Sequence, residues 1–130
     1  MESILAEKTY TIQEAAEEMQ VSAHTLRYYE KIGLLPSIQR AENGRRIYRE
    51  EDLGWVYWLK LLRASGMSIQ VITRYVEITR AGDHTIEDRC AILEEHRDHL
   101  RGHIEKLQGF LEKLEQKVEF YQGYKMRLKE

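Results

Sequence analysis

From Ile86 onward the positions 86, 90, 93, 97, 100, 104, 107, 111, 114, 118 and 121 advance in alternating steps of four and three. They carry Ile86, Cys90, Leu93, Arg97, Leu100, Ile104, Leu107, Leu111, Leu114, Val118 and Tyr121, and only Arg97 is plainly not apolar. An apolar period of 3.5 residues sustained this long is the seam of a coiled coil, which one helix in water cannot hide. The chain holds no second helical segment of similar length. The expected partner is therefore another copy, and the spacing predicts a dimerisation helix over 86–121 with 122–130 as a short C-terminal tail.

Composition changes near Gly82. Both tryptophans and the only proline precede it, whereas residues 86–121 contain no proline. In the first module Thr11 and Glu14 form a capping box, in which hydroxyl and carboxylate each satisfy an orphan N–H of a helix start. A helix over 12–19 would bury Ile12, Ala15, Ala16 and Met19 on one face. Gln20 and Val21 form a turn, Ser22 is an N-cap, and a second helix runs over 23–32 to a left-handed stop at Gly33. Two short helices joined so tightly make a helix-turn-helix.

The second helix carries the stretch "TLRYYEKIGLLP". Leu26, Tyr29 and Ile32 lie on one side and can pack on the first helix. His24, Arg27, Tyr28 and Lys31 recur on the other, where nothing apolar covers them, and Thr25 stands in the first turn beside them. Such a face is either ordinary solvated surface or a surface for a nucleic-acid groove, where arginine bridges phosphate or guanine. The stretch "SIQRAENGRRIYREEDL" reads as strand, Asn43-Gly44 turn and strand, with the pair suited to a type I′ hairpin. Arg40, Arg45, Arg46 and Arg49 face only Glu42 as an acid over 40–49. A basic hairpin after a helix-turn-helix is placed to grip phosphates. Residues 50–65 make a third helix, apolar on nearly all faces as a core helix would be. Ser68 caps a fourth, with Ile69, Ile72 and Val76 inward.

Taken together, "YTIQEAAEEMQVSAHTLRYYEKIGLL", "NGRRIY", "EDL" and "LLRASGMSIQVI" resemble the amino-terminal domain of the MerR family of transcription regulators, continuously over about residues 9–80. The resemblance implies a mainly α fold: a winged helix-turn-helix DNA-binding domain over 9–80, then a long helix pairing as an antiparallel coiled coil. It implies a homodimer that binds a dyad operator in a promoter spacer of double-stranded DNA, distorts it and acts with RNA polymerase on that promoter. Carried over by motif, Arg27, Tyr28, Arg46 and Tyr48 contact DNA, and Arg63 leads into a second, helical wing. Arg45 stands where the family often has an aromatic or aliphatic residue. Arg49 stands where a capping Ser or Thr is common, so the third helix would start less firmly.

After Tyr121 only "QGYKMRLKE" remains, so no separate effector domain is expected, and the family's multi-cysteine metal loop has no counterpart. Cys90 is the only thiol, either a seam residue or a thiol sensor of aldehydes or oxidants. His96, His99 and His103 share a helix face, but "EEHRDHLRGH" reads equally as solvated surface. No metal and no cofactor is expected. If the seam pairs antiparallel about Ile104, the two Cys90 residues lie about 40 Å apart, too far for a disulfide. Charged residues make up 32% of the chain while the net charge is −2, so any basic surface is local. No run has signal-peptide or membrane-spanning length, and "MESILAEK" opens with an acid. The expected setting is the cytoplasm, without membrane contact. An enzyme is disfavoured because no nucleophile, base and oxyanion set can be placed. An architectural or excision-type DNA binder would not need the long seam, and a plain coiled-coil adaptor would not need the basic hairpin.

Overall fold

The computed structural model describes residues 8–36 and 38–130. The chain divides at Ile86 into two units, the second being Glu87–Glu130. The first contains β1 (Thr9–Tyr10), α1 (Ile12–Met19), α2 (Ala23–Lys31), β2 (Gln39–Arg40), β3 (Arg46–Arg49), α3 (Glu50–Ala64), α4 (Ile69–Ala81) and a 3-10 turn, Asp83–Thr85. The long helix α5 is Ile86–Leu128.

The capping box is present in full. Thr11 N–H donates to Glu14 Oε1 at 2.8 Å, and Glu14 N–H to Thr11 Oγ1 at 3.1 Å. Gln20 ends α1 in the left-handed region (φ 56°), the one non-glycine among the described residues with positive φ. Lys60 Nζ of α3 caps the same end by donating to Met19 O. Ser22 Oγ then accepts from Thr25 N–H to open α2. After Lys31 the chain turns through Gly33 at φ 81°, with Leu34 N–H donating to Tyr29 O. That turn drives Leu34 and Leu35 into the core beside Leu26 and Tyr29. Leu26 has no exposed surface, so Leu26→Ala would cost about 2–5 kcal/mol.

The sheet order is β1-β3-β2, all antiparallel, with Tyr10 opposite Tyr48 and Arg40 opposite Arg46. β1 is too short to show a strand period. The hairpin is not the type I′ turn that Asn43-Gly44 suggested, since only Gly44 has positive φ (81°). Ala41 and Arg45 instead flank a three-residue loop, with Gly44 N–H donating to Ala41 O and Ala41 N–H to Arg45 O. This is a turn with a glycine bulge, held by Asn43 Oδ1 accepting from Arg45 N–H.

One further expectation is corrected. α3 is not buried all round: Leu53, Val56, Leu59 and Leu62 face the core, while Tyr57 and Trp58 are about half exposed (53% and 52%). Its start keeps half of a capping box: Asp52 Oδ2 accepts from Arg49 N–H at 2.9 Å, but Arg49 makes no side-chain cap bond. An arginine has no acceptor to return that bond. Ser68 caps α4, and Ile72 and Val76 are buried. Thr85, also buried, has its hydroxyl 2.6 Å from Ile78 O and 2.7 Å from Gly82 O.

In the second unit α5 continues through 122–128, the greater part of the stretch expected as a short C-terminal tail. Its 43 residues span about 64 Å. No residue of α5 is buried. From Ile104 to Tyr121 the apolar seam side chains are 46–63% exposed. Phe120 stacks near Tyr124 (6.3 Å, 16°), with Lys117 Nζ 5.4 Å from the rings of Phe120 and Tyr121.

Candidate nucleic-acid interface

The outer face of α2 is laid out as its period requires. His24, Arg27, Tyr28 and Lys31 are all exposed, while Leu26 and Tyr29 point inward. Tyr28 leans on Tyr29 (6.3 Å, 46°), which orders its ring while leaving it 44% exposed. Thr25 is half-buried, with its hydroxyl 2.9 Å from Ser22 Oγ, so it serves the cap as well as the face. The face thus offers a guanidinium, an ammonium, an imidazole and a phenol within three turns, a set that donates to phosphates and base edges.

The hairpin supplies the second part. Arg45 is exposed, and Arg40 Nη1 donates to Gly44 O at 2.8 Å, bracing the loop. Arg46 is half-buried because its Nε donates to Glu30 Oε1 at 2.6 Å, an ion pair from β3 to α2. Sequence reasoning missed Glu30. The signal was available: strand alternation puts Arg46 on the same face as Tyr48, hence toward the domain, where a charge needs a partner. Between the first turn of α1 (Thr11, Ile12, Gln13) and Arg40, Arg45 and Arg46 lies a hollow of about 400 Å³.

Tyr48 does not join this surface. Its side chain is fully buried and its hydroxyl has no hydrogen-bond partner among the described residues. Burial pushes its pKa up, Glu30 and Asp52 adding to the rise and Arg46 and Arg27 opposing it. Its place among the DNA contacts is therefore withdrawn. Arg63 lies exposed near the end of α3, with Nη1 donating to Met67 O at 3.3 Å.

The α5 candidates are less suited to chemistry. Cys90 is exposed, and its thiol donates to Glu94 Oε1 at 3.2 Å. That bond and the Glu94 charge push its pKa up, against the thiolate that reacts. Among the described residues no three His, Cys, Asp or Glu side chains are grouped to hold a metal ion, the histidines 96, 99 and 103 included. Arg97 pairs with Asp98 of its own chain at 3.0 Å.

The sequence profile of MerR HTH family regulatory proteins matches residues 10–78, which span the helix pair, the hairpin and most of α4. The chain belongs to the MerR family. It is a transcription regulator of the MerR type. An HTH-type transcriptional regulator of Haemophilus influenzae is 43% identical over 114 residues, covering 88% of this chain and 84% of that one. The regulator AdhR of Bacillus subtilis is 39% identical over 89 residues, 68% of this chain and 64% of AdhR. Among solved structures, HiNmlR, a MerR family regulator lacking the sensor domain and bound to promoter DNA, superposes with a TM-score of 0.84 at 43% identity. That match covers 88% of this chain and 87% of HiNmlR. Among the described residues no helix is long and apolar enough to cross a membrane.

Proposed function

We propose that this MerR regulator binds a dyad operator in double-stranded promoter DNA as a homodimer and distorts the promoter spacer to set transcription by RNA polymerase. The observation that carries the reading is the joint surface of α2 and the hairpin. His24, Arg27, Tyr28 and Lys31 stand exposed on one face, and Arg46 of the neighbouring strand is bonded to that same helix. Arg27 and Tyr28 enter the major groove, with His24, Thr25 and Lys31 beside them. Arg45 and Arg46 take backbone phosphates next to it, and Arg63 takes one from α3. HiNmlR, so similar over most of its length, is bound to promoter DNA, which supports the same use of the domain in this chain.

The homodimer follows from α5. A helix of 43 residues with none buried leaves its apolar stripe in water, and an identical helix covers it by knobs-into-holes packing. Ile86, Cys90, Leu93, Leu100, Ile104, Leu107, Leu111, Leu114, Val118 and Tyr121 form the contact, paired antiparallel. The protein acts in the cytoplasm on DNA and performs no catalysis of its own. Footprinting on the DNA upstream of its gene, together with sedimentation, tests the reading. A protected dyad spanning a promoter spacer and a dimeric protein are expected. A monomer, or protection without sequence preference, would overturn it.

A further inference from the structure

The wing and the recognition helix are chemically tied. Arg46 Nε donates to Glu30 Oε1 at 2.6 Å across 16 residues of sequence, and the two side chains are only 23% and 18% exposed. Nε is one donor of five in a guanidinium. The terminal nitrogens, the planar fork that matches a phosphate, have no other partner among the described residues.

An acid inside a DNA-binding surface is costly, because it repels the phosphates that its neighbours attract. Glu30 nevertheless stands on α2 one turn from Arg27, on the flank of the basic face that turns toward β3. Its neighbours explain what it does there. Arg46 shares a strand face with the fully buried Tyr48, so its stem runs toward the domain, unlike that of the exposed Arg45. Free of Glu30, a long arginine on a hairpin would sample many rotamers and meet any phosphate within reach. Bonded at Nε, it has one orientation, fixed relative to α2.

We propose that Glu30 is a positioning residue for DNA selection: it holds the Arg46 guanidinium at the edge of α2 with the fork open. A phosphate is then gripped only when the face of α2 is already in register with its groove. The proposal rests on the reading of α2 and the hairpin as the DNA surface. Its thermodynamic signature is an acid that favours the correct sequence while opposing all others.

The test compares full-length wild type, Glu30→Ala and Glu30→Gln on the footprinted operator duplex and on a scrambled duplex of equal length, over a salt series. Glu30→Ala should bind the scrambled duplex more tightly, because a repelling charge has gone. It should lose roughly two- to tenfold on the operator, the cost of ordering one rotamer-rich side chain on binding. Glu30→Gln, which keeps the acceptor, should fall between. In an Arg46→Ala background Glu30→Ala should bring no further loss on the operator. Equal tightening on both duplexes would make Glu30 a mere unfavourable charge and overturn the proposal, and so would a loss that persists without Arg46. If Glu30→Ala lowers the melting temperature, the operator-to-scrambled ratio of Glu30→Gln decides instead. A wild type without preference for the operator would overturn the DNA-binding reading and this proposal with it.

Discussion

The Tyr10 hydroxyl donates to Glu50 Oε1 at 2.6 Å, joining the strand before α1 to the first residue of α3. This bond, more than burial or the charges of Glu50, Glu18 and Glu14, holds the phenol pKa up at about 12, above the usual tyrosine value of about 10. A raised folded-state pKa means that the folded chain keeps a proton the unfolded chain has lost. The contribution is whole below about pH 10 and disappears as pH rises through about 12. Denaturant midpoints measured across that window should fall with pH in wild type and fall less in Tyr10→Phe, and a parallel fall in both would refute the assignment.

Arg27→Ala should weaken operator binding by about 1–3 kcal/mol if the guanidinium makes a paired base contact. Arg46→Ala should weaken operator binding and make the salt dependence shallower by about one phosphate's worth. Titrations at several salt concentrations measure both, and unchanged affinity in the two variants would defeat the interface.

Tyr48→Phe should stabilise the fold by roughly 1 kcal/mol, because it removes a buried hydroxyl that has no hydrogen-bond partner among the described residues. Chemical denaturation reads the change directly. Operator affinity should stay the same, which separates Tyr48 from the exposed Tyr28.

The helix pair was legible because its signals are local: a hydroxyl three residues from a carboxylate, a serine before an alternating face, a glycine at the stop. The hairpin was legible in place but not in kind. The Asn-Gly pair indicates a tight turn, yet whether both residues or only Gly44 takes positive φ depends on where the Asn43 side chain bonds, and it bonds to Arg45 N–H. Tyr48 was misplaced because a motif gives neighbours in sequence, whereas burial is decided by what packs on the strand. In α3 the apolar residues cover more of the circumference than one domain can bury, so composition alone could not say that Leu53 and Val56 face inward and Trp58 outward. Glu30 reads as one more helix-surface acid until the fold brings β3 beside it.

Glu94→Gln should raise the rate at which Cys90 reacts with a disulfide reagent at neutral pH, since Glu94 is the main cause of its raised pKa. An unchanged rate would show that the thiol is governed by something other than its bond to Glu94.

Arg97→Leu should preserve or increase dimer stability in sedimentation, because it completes the apolar seam and releases a side chain that otherwise binds Asp98. A marked loss of dimer would mean that Arg97 holds an acid across the interface.

The division at Ile86 places the whole of α2 and the hairpin in one unit and every seam residue from Cys90 onward in the other. Lesions in the two should therefore behave as different kinds of allele. If the protein pairs as proposed, a gene copy bearing Arg27→Ala keeps its seam intact, and its product should enter mixed pairs with wild-type subunits, each carrying one defective reading head. In a cell with both copies it should be dominant. A copy whose Leu107 and Leu111 are both changed to lysine should make a subunit that wild type does not take up, and it should be recessive.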